Sequence, residues 1–244
     1  MNTADRRIEA DPQRVATACA AYILKLLSEA VKGSHRASFA ISGGHTPAAM
    51  FAELARSGFD WGKVHIFFVD ERCVPPSSDQ SNFKLANDSF FTPAAIPAGN
   101  VHRILGEEEP DEAARKYVAD IQTYFSLGPA ELPVFDVLHR GMGPDAHTAS
   151  LFPGEPLIKD RTGIAAHVWV EKMSMDRVTL LPGVLLAAEN TVLQVVGPDK
   201  ADAAFNVLCG PEDPMQYPCQ IATRGSAGAV WFMDEQAAAK IKGC

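Results

Sequence analysis

The sequence predicts an α/β fold, a doubly wound, mostly parallel sheet with helices on both faces. Three observations carry that expectation. Strand-like and helix-like stretches alternate along the chain, the order that builds parallel sheets. The run Val64-His65-Ile66-Phe67-Phe68-Val69 is rich in β-branched and aromatic residues, as a central strand buried on both faces should be. Glycines and charged residues gather at strand ends, the edge where open α/β sheets receive ligands.

Taken in order, Asp11 and Pro12 are a cap and a first-turn proline. Val15, Ala18, Cys19, Tyr22, Ile23, Leu26, Leu27 and Val31 then recur at helical spacing until Gly33. Ser38 to Ser42 reads as a short buried strand. Gly43-Gly44-His45-Thr46-Pro47 turns into a second helix with Thr46 as N-cap and Met50, Phe51 and Leu54 on its packed face. A strand, two glycines and a helix start can cradle an anion on backbone N–H groups, or can simply need glycine's backbone freedom.

The Val64–Val69 strand ends in Asp70-Glu71-Arg72-Cys73-Val74-Pro75-Pro76, a charged strand end or a solvated loop. Ser81 to Phe91 is helical, Val101 to Leu105 a short strand, and the acidic run Glu107 to Glu112 opens a helix that ends before Gly128-Pro129. Ile164 to Val170 is a strand, Lys172 to Arg177 a loop, Leu181 to Ala188 a helix and Thr191 to Val196 a strand. Gly197-Pro198-Asp199-Lys200 turns into the next helix, and Val230 to Met233 is a last strand before a C-terminal helix.

The chain is organised around Phe135-Asp136-Val137-Leu138-His139-Arg140-Gly141-Met142-Gly143-Pro144-Asp145-Ala146-His147-Thr148-Ala149-Ser150-Leu151-Phe152-Pro153-Gly154. It reads as a strand, a tight loop and a helical turn that Pro153-Gly154 stops. Asp145 is the expected N-cap. His147 then falls at the second helical position, where the helix dipole keeps the imidazole uncharged and able to accept a proton. The plain alternative is a capping or surface histidine. The charged pair His139-Arg140, in a strand end that is normally apolar, is expected to open onto solvent or an anionic ligand.

At 244 residues, with 47% apolar and 21% charged residues, the chain suits one large α/β domain spanning residues 1–244. It has no apolar run of membrane-spanning length, and Met1 to Arg7 carries charges with no apolar stretch of a signal peptide after it. Neither a membrane nor a nucleic-acid partner is expected, the latter because the formal net charge is −8. A small anionic substrate stays open, since local basic groups can dominate a cleft. Five cysteines without metal-ligand spacing point to reduced thiols and a cytoplasmic protein. The seven histidines show no ligand spacing, so no metal or other cofactor is expected.

Gly141 to Gly154 resembles the signature of the 6-phosphogluconolactonases, whose superfamily also holds glucosamine-6-phosphate isomerase/deaminase and ribose-5-phosphate isomerase. The departure is Ala146, where that family usually has Gly; at positive φ an Ala there costs roughly 1 kcal/mol. Ser42-Gly43-Gly44-His45-Thr46-Pro47 is similar to the family's phosphate loop, with His45 in its variable slot and without an assigned role. Asp70-Glu71-Arg72-Cys73-Val74-Pro75 resembles its second motif, Arg177-Val178-Thr179-Leu180-Leu181-Pro182 a third, and Gly197 to Lys200 its Gly-x-x-Lys.

The resemblance implies hydrolysis of 6-phospho-D-glucono-1,5-lactone to 6-phosphogluconate, coupled in metabolism to glucose-6-phosphate dehydrogenase. His147 is the expected base, with Asp145 beside it, and Asp70 orients a water, a hydroxyl or the base. Gly43, Gly44, Thr46, Arg72, Arg177 and Lys200 are expected to hold the phosphate, and N–H groups around Gly141 and Gly143 the oxyanion. A deaminase or isomerase on the same scaffold is the nearest alternative, although relatives of that kind continue the histidine motif with Ala-Phe-Asn-Glu-Pro instead of Ala149 to Pro153. A non-catalytic sugar-phosphate sensor is the other, and it would want a helix-turn-helix module that the length does not accommodate.

Overall fold

The computed structural model describes residues 5–34, 36–221, 229–241 and 243–244; Met1 to Ala4 lie outside the described residues. In chain order the elements are β1 (Asp5–Glu9), α1 (Pro12–Ser34), β2 (Ala37–Ile41), α2 (Pro47–Arg56), β3 (Val64–Phe68), β4 (Asp70–Arg72), α3 (Asn82–Ala86) and β5 (Val101–His102). They continue with α4 (Pro110–Phe125), β6 (Val137–Arg140), β7 (Ala165–Val170), β8 (Met175–Leu180), α5 (Pro182–Ala187), β9 (Asn190–Val195), α6 (Ala201–Leu208) and β10 (Ala229–Asp234).

Seven strands form one sheet in the order β1-β10-β9-β6-β2-β3-β5, and every neighbouring pair in it is parallel. The chain runs outward from β2 through β3 to β5, then returns to the other side of β2 with β6 and runs outward again. The direction therefore reverses between β2 and β6, the switch point at which such sheets open a crevice beyond the strand carboxyl ends. The Gly43-Gly44 loop leaves one of these strands and the Gly141–Gly143 loop the other.

Alternation along the strands feeds two cores. In β9 and β10, Val192, Val230 and Phe232 join a cluster with Val15, Cys19, Ile23 and Leu27 of α1. Their alternates Leu193, Val195, Trp231 and Met233 pack with Ala203, Ala204 and Val207 of α6. The α1 start is as the sequence implies: the Arg14 N–H donates to Asp11 Oδ1 at 2.8 Å.

Four local expectations change. Asp5–Glu9, which has no strand pattern, is an edge strand held in register with β10 from Asp5↔Val230 to Glu9↔Asp234. The charged end of β3 becomes β4, and with β8 and β7 it forms a separate antiparallel sheet that includes much of the expected Lys172–Arg177 loop. After β10 the chain makes turns, not a helix, with Asp234 capping the Ala237 N–H at 2.8 Å. Those turns bring Cys244 beside the end of α6, with Cα atoms 5.8 Å apart, and it is disulfide-bonded to Cys209. The expectation of five reduced thiols therefore holds only for Cys19, Cys73 and Cys219.

Candidate active site

A cleft of about 450 Å³ opens at the switch point. Gly43, Gly44, Thr46, Asp70, Arg72, Gly141, Gly143, His147, Arg177 and Lys200 all line it. Of the residues expected to act on the substrate or to hold it, Asp145 alone stands behind the wall, touching the cleft through His147.

The His147 loop is a set of tight turns and not the expected helix. The Ala146 N–H donates to Gly143 O at 3.0 Å and the Gly143 N–H to His147 O at 2.9 Å. Ala146 and Ala149 sit at φ 63° and 52°, so no helix can run through them. The dipole argument for a neutral imidazole falls with the helix. What holds the ring instead is a carboxylate: Asp145 Oδ1 lies 2.5 Å from His147 Nδ1, and Asp145 Oδ2 accepts from Lys172 Nζ at 2.8 Å. Burial opposes the charge on Asp145, but hydrogen bonds from His147 and Lys172 outweigh it and hold the carboxyl well below the usual range. With Nδ1 donating to that carboxylate, Nε2 is the ring nitrogen left facing away from Asp145. Phe152 stacks on the ring at 4.1 Å between centroids and fixes its plane. Gly143 is obligatory here, because a Cβ on it would collide with the His147 ring.

Ala146, the one departure from the signature, is buried and takes the left-handed conformation. The chain therefore bears the local strain of roughly 1 kcal/mol that a Cβ brings there. Because the Gly143 N–H is engaged with His147 O, it is not free to donate to an oxyanion.

Part of the cleft wall is cationic. Arg72 of β4 and Arg177 of β8 are directly paired across the antiparallel ladder. Like charges at such positions repel, and both line the cleft with Lys200. Arg72 is aimed by a hydrogen bond from Nη1 to Gln80 O at 2.6 Å. Arg177 is 4% exposed, with Nη1 3.8 Å from Asp70 Oδ2 and 3.5 Å from Ser150 Oγ. Burial and the neighbouring Arg72 both disfavour its charge. Asp70 accepts from Ser150 Oγ at 2.6 Å and has no hydrogen bond to His147, so of the two carboxylates only Asp145 touches that ring. Thr46 is αR and its side chain caps nothing, which leaves the hydroxyl available to a ligand.

Spacing gave no sign of three supporting residues. Buried Glu71 accepts from the N–H groups of Arg72, Asn82 and Phe83 at 2.8, 2.7 and 2.7 Å and from Ser81 Oγ at 3.0 Å. It thereby ties β4 to α3, and Asn82 Nδ2 in turn donates to Asp70 O at 2.8 Å. Lys172 and Ser150 meet their partners only through the fold. His139 and Arg140 do not open onto solvent: they are 1% and 0% exposed. Arg140 lies under the loop, with Nη2 donating to Ile221 O at 2.7 Å, while His139 reaches the cleft floor. Among the described residues no helix is long and apolar enough to cross a membrane.

A 6-phosphogluconolactonase of Nostoc sp. is 34% identical over 221 residues, covering 90% of each chain. The crystal structure of a DevB protein superposes with a TM-score of 0.86 at 32% identity, over 97% of this chain and 99% of that one. A 6-phosphogluconolactonase from Trypanosoma cruzi shares the fold, with a TM-score of 0.87 at 20% identity, over 99% and 98% of the two chains. The family model described as glucosamine-6-phosphate isomerases/6-phosphogluconolactonase matches residues 10–231, and the chain belongs to that family.

Proposed function

We propose that this chain hydrolyses 6-phospho-D-glucono-1,5-lactone to 6-phosphogluconate. One observation carries the reading: a single cleft joins the cross-strand Arg72–Arg177 pair and Lys200 to an imidazole oriented by Asp145. Two guanidinium groups and an ammonium suit the dianionic phosphate, with Gly43, Gly44 and Thr46 offering loop N–H groups and a hydroxyl. Pinning the phosphate brings the carbonyl end towards His147.

His147 Nε2 takes a proton from water as the water oxygen bonds to the lactone carbonyl carbon. The imidazolium so formed is stabilised by Asp145. As the tetrahedral adduct collapses, the bond to the ring oxygen breaks, and His147 returns the proton to that oxygen. The oxyanion role falls to the Gly141–Met142 segment, since Gly143 is engaged elsewhere. Asp70 holds Arg177 and Ser150 in place or meets a substrate hydroxyl. Lys172 fixes the second Asp145 oxygen.

The lactone opens spontaneously, so acid–base assistance of about 10²–10⁴-fold with positioning suffices. A short-lived substrate is best consumed where it is made, which supports metabolic coupling to glucose-6-phosphate dehydrogenase and a cytoplasmic location. The test is His147→Ala, assayed on freshly generated lactone with spontaneous opening subtracted. It should lose about 10²–10⁴-fold in kcat and still bind 6-phosphogluconate; unchanged hydrolysis would end the assignment of the base. Ammonia released from glucosamine 6-phosphate by the unaltered protein would favour a deaminase instead.

A further inference from the structure

The cleft floor holds polar side chains that the chemistry above leaves unused. His139 lies one residue before the end of β6, paired with Val192 of β9, and Gln194 follows two residues later on the same face. They are 1% and 2% exposed, yet both line the cleft. Neither ring nitrogen of His139 nor Gln194 Oε1 makes a well-formed hydrogen bond among the described residues, although the Gln194 side chain lies near enough to act on the His139 ring. Ser42 Oγ, at the end of β2 on the other side of β6, is also unpartnered and lines the same floor.

Unpartnered polar groups in a buried parallel sheet cost stability that leucines in the same places would not. They are grouped at one spot, aimed at a cavity. Burial pushes the His139 imidazole down to about 4, against a weaker pull from the Gln194 side chain. The ring is therefore neutral and offers one donor and one acceptor. That pairing suits a hydroxyl, which also gives and takes one hydrogen bond, and does not suit phosphate. The position fits as well, because β9 leads to Lys200 and β6 to His147. The floor between them lies under the span from the phosphate to the reacting carbonyl.

We propose that His139 and Gln194 bind the substrate's hydroxyl groups between its phosphate and its carbonyl, and so select a fully hydroxylated lactone over its deoxy analogues. This rests on the lactonase reading. His139→Leu and Gln194→Leu would each be assayed on the parent lactone and on its 2-deoxy and 3-deoxy analogues, all freshly generated. Each variant should lose about tenfold in kcat/KM on the parent, lose little on the analogue lacking its partner hydroxyl, and unfold at an unchanged or higher temperature.

If both variants discriminate among the three lactones as the unaltered protein does, or lose activity on all alike as their unfolding temperature falls, the proposal is overturned. Should neither variant fold, the unaltered protein decides. Its His139 imidazole nitrogen resonances should move on saturation with 6-phosphogluconate and stay in place with inorganic phosphate; resonances that move with neither overturn the proposal. Such movement in a protein without lactonase activity would keep the hydroxyl site and remove the catalytic reading alone.

Discussion

The two ends of the central strands treat polar side chains in opposite ways. At the amino ends most are satisfied within the fold, with Thr191 Oγ1 and Trp61 Nε1 the exceptions among the described residues. Asp136 Oδ2 accepts from the Ser38 N–H and hydroxyl at 2.7 and 2.6 Å, and Asn190 Nδ2 donates to Asp136 O at 2.9 Å. His65 Nδ1, near the start of β3, meets His102 Nε2 of the edge strand β5 at 2.9 Å, and His102 Nδ1 meets Asp120 Oδ2 at 2.9 Å. At the carboxyl ends, Ser42 Oγ, Asn82 Oδ1, both His139 nitrogens, Gln194 Oε1 and the Nε atoms of Arg72 and Arg177 make no well-formed hydrogen bond among the described residues. β2, β6 and β9 contribute polar groups at both ends, so strand chemistry alone does not explain the difference. One end is closed for stability, and the other is held open for a ligand.

The largest effect that sharpens this contrast is at Gly43. A Cβ there would fall on the Asn82 side chain, which hangs from Asp70 O. Gly43→Ala must therefore move the loop or α3, and with it a phosphate-facing group. Misplacement by about 1 Å costs on the order of 10²-fold, so kcat/KM on the lactone should fall by about that much with little change in unfolding temperature. A fall in unfolding temperature with kcat/KM intact would show that the loop serves folding and would break the contrast.

Asp136→Ala probes the closed end. It strips the Ser38 N–H and hydroxyl of their acceptor, and an unsatisfied buried group costs about 1–3 kcal/mol. Thermal unfolding should drop by roughly 2–4 °C per kcal/mol, with kcat and KM near those of the unaltered protein. Loss of activity without loss of stability would mean that the two ends communicate.

Much of this division was legible in the sequence, and what was missed has physical causes. The alternation of patterns gave the parallel sheet, and the strand-end loops gave the cleft, because local sequence specifies strand, turn and helix start. Pairing between distant segments has no such local code. Asp5–Glu9 offers one apolar residue, Ile8, itself 43% exposed, and becomes a strand only because β10 presents an edge. The β4–β8 pairing that sets Arg72 against Arg177 is likewise invisible from either segment. At Asp145–His147 the residue types fitted a helix start, but the left-handed Ala146 and Ala149 turned the chain, and the ring is oriented by a carboxylate where a dipole was expected to act on it. His139 and Arg140 were read as opening onto solvent or an anionic ligand because charge and polarity normally seek water; only the strand order shows that both are covered, with His139 at the cleft.

The smallest effect lies away from both ends, where His167 of β7 joins Asp111 of α4 at 3.1 Å and Asp176 of β8 at 2.7 Å. Burial lowers its affinity for a proton, but Asp176 and Asp111 together outweigh burial, and its pKa is raised above 6.5. A raised histidine pKa means that the folded state binds the proton more tightly than the unfolded chain does. The stabilisation is therefore complete below the unfolded value of about 6.5 and disappears as pH rises through the folded value. Thermal unfolding followed from below pH 6 to pH 9 should show this decline, and His167→Ala should flatten it while leaving lactone hydrolysis unaffected. Because the pair members lie partly in water, the change should be small beside that of Asp136→Ala. An equal change in kcat/KM across the same window would instead tie the antiparallel sheet, which carries Arg177, to the order of the cationic wall.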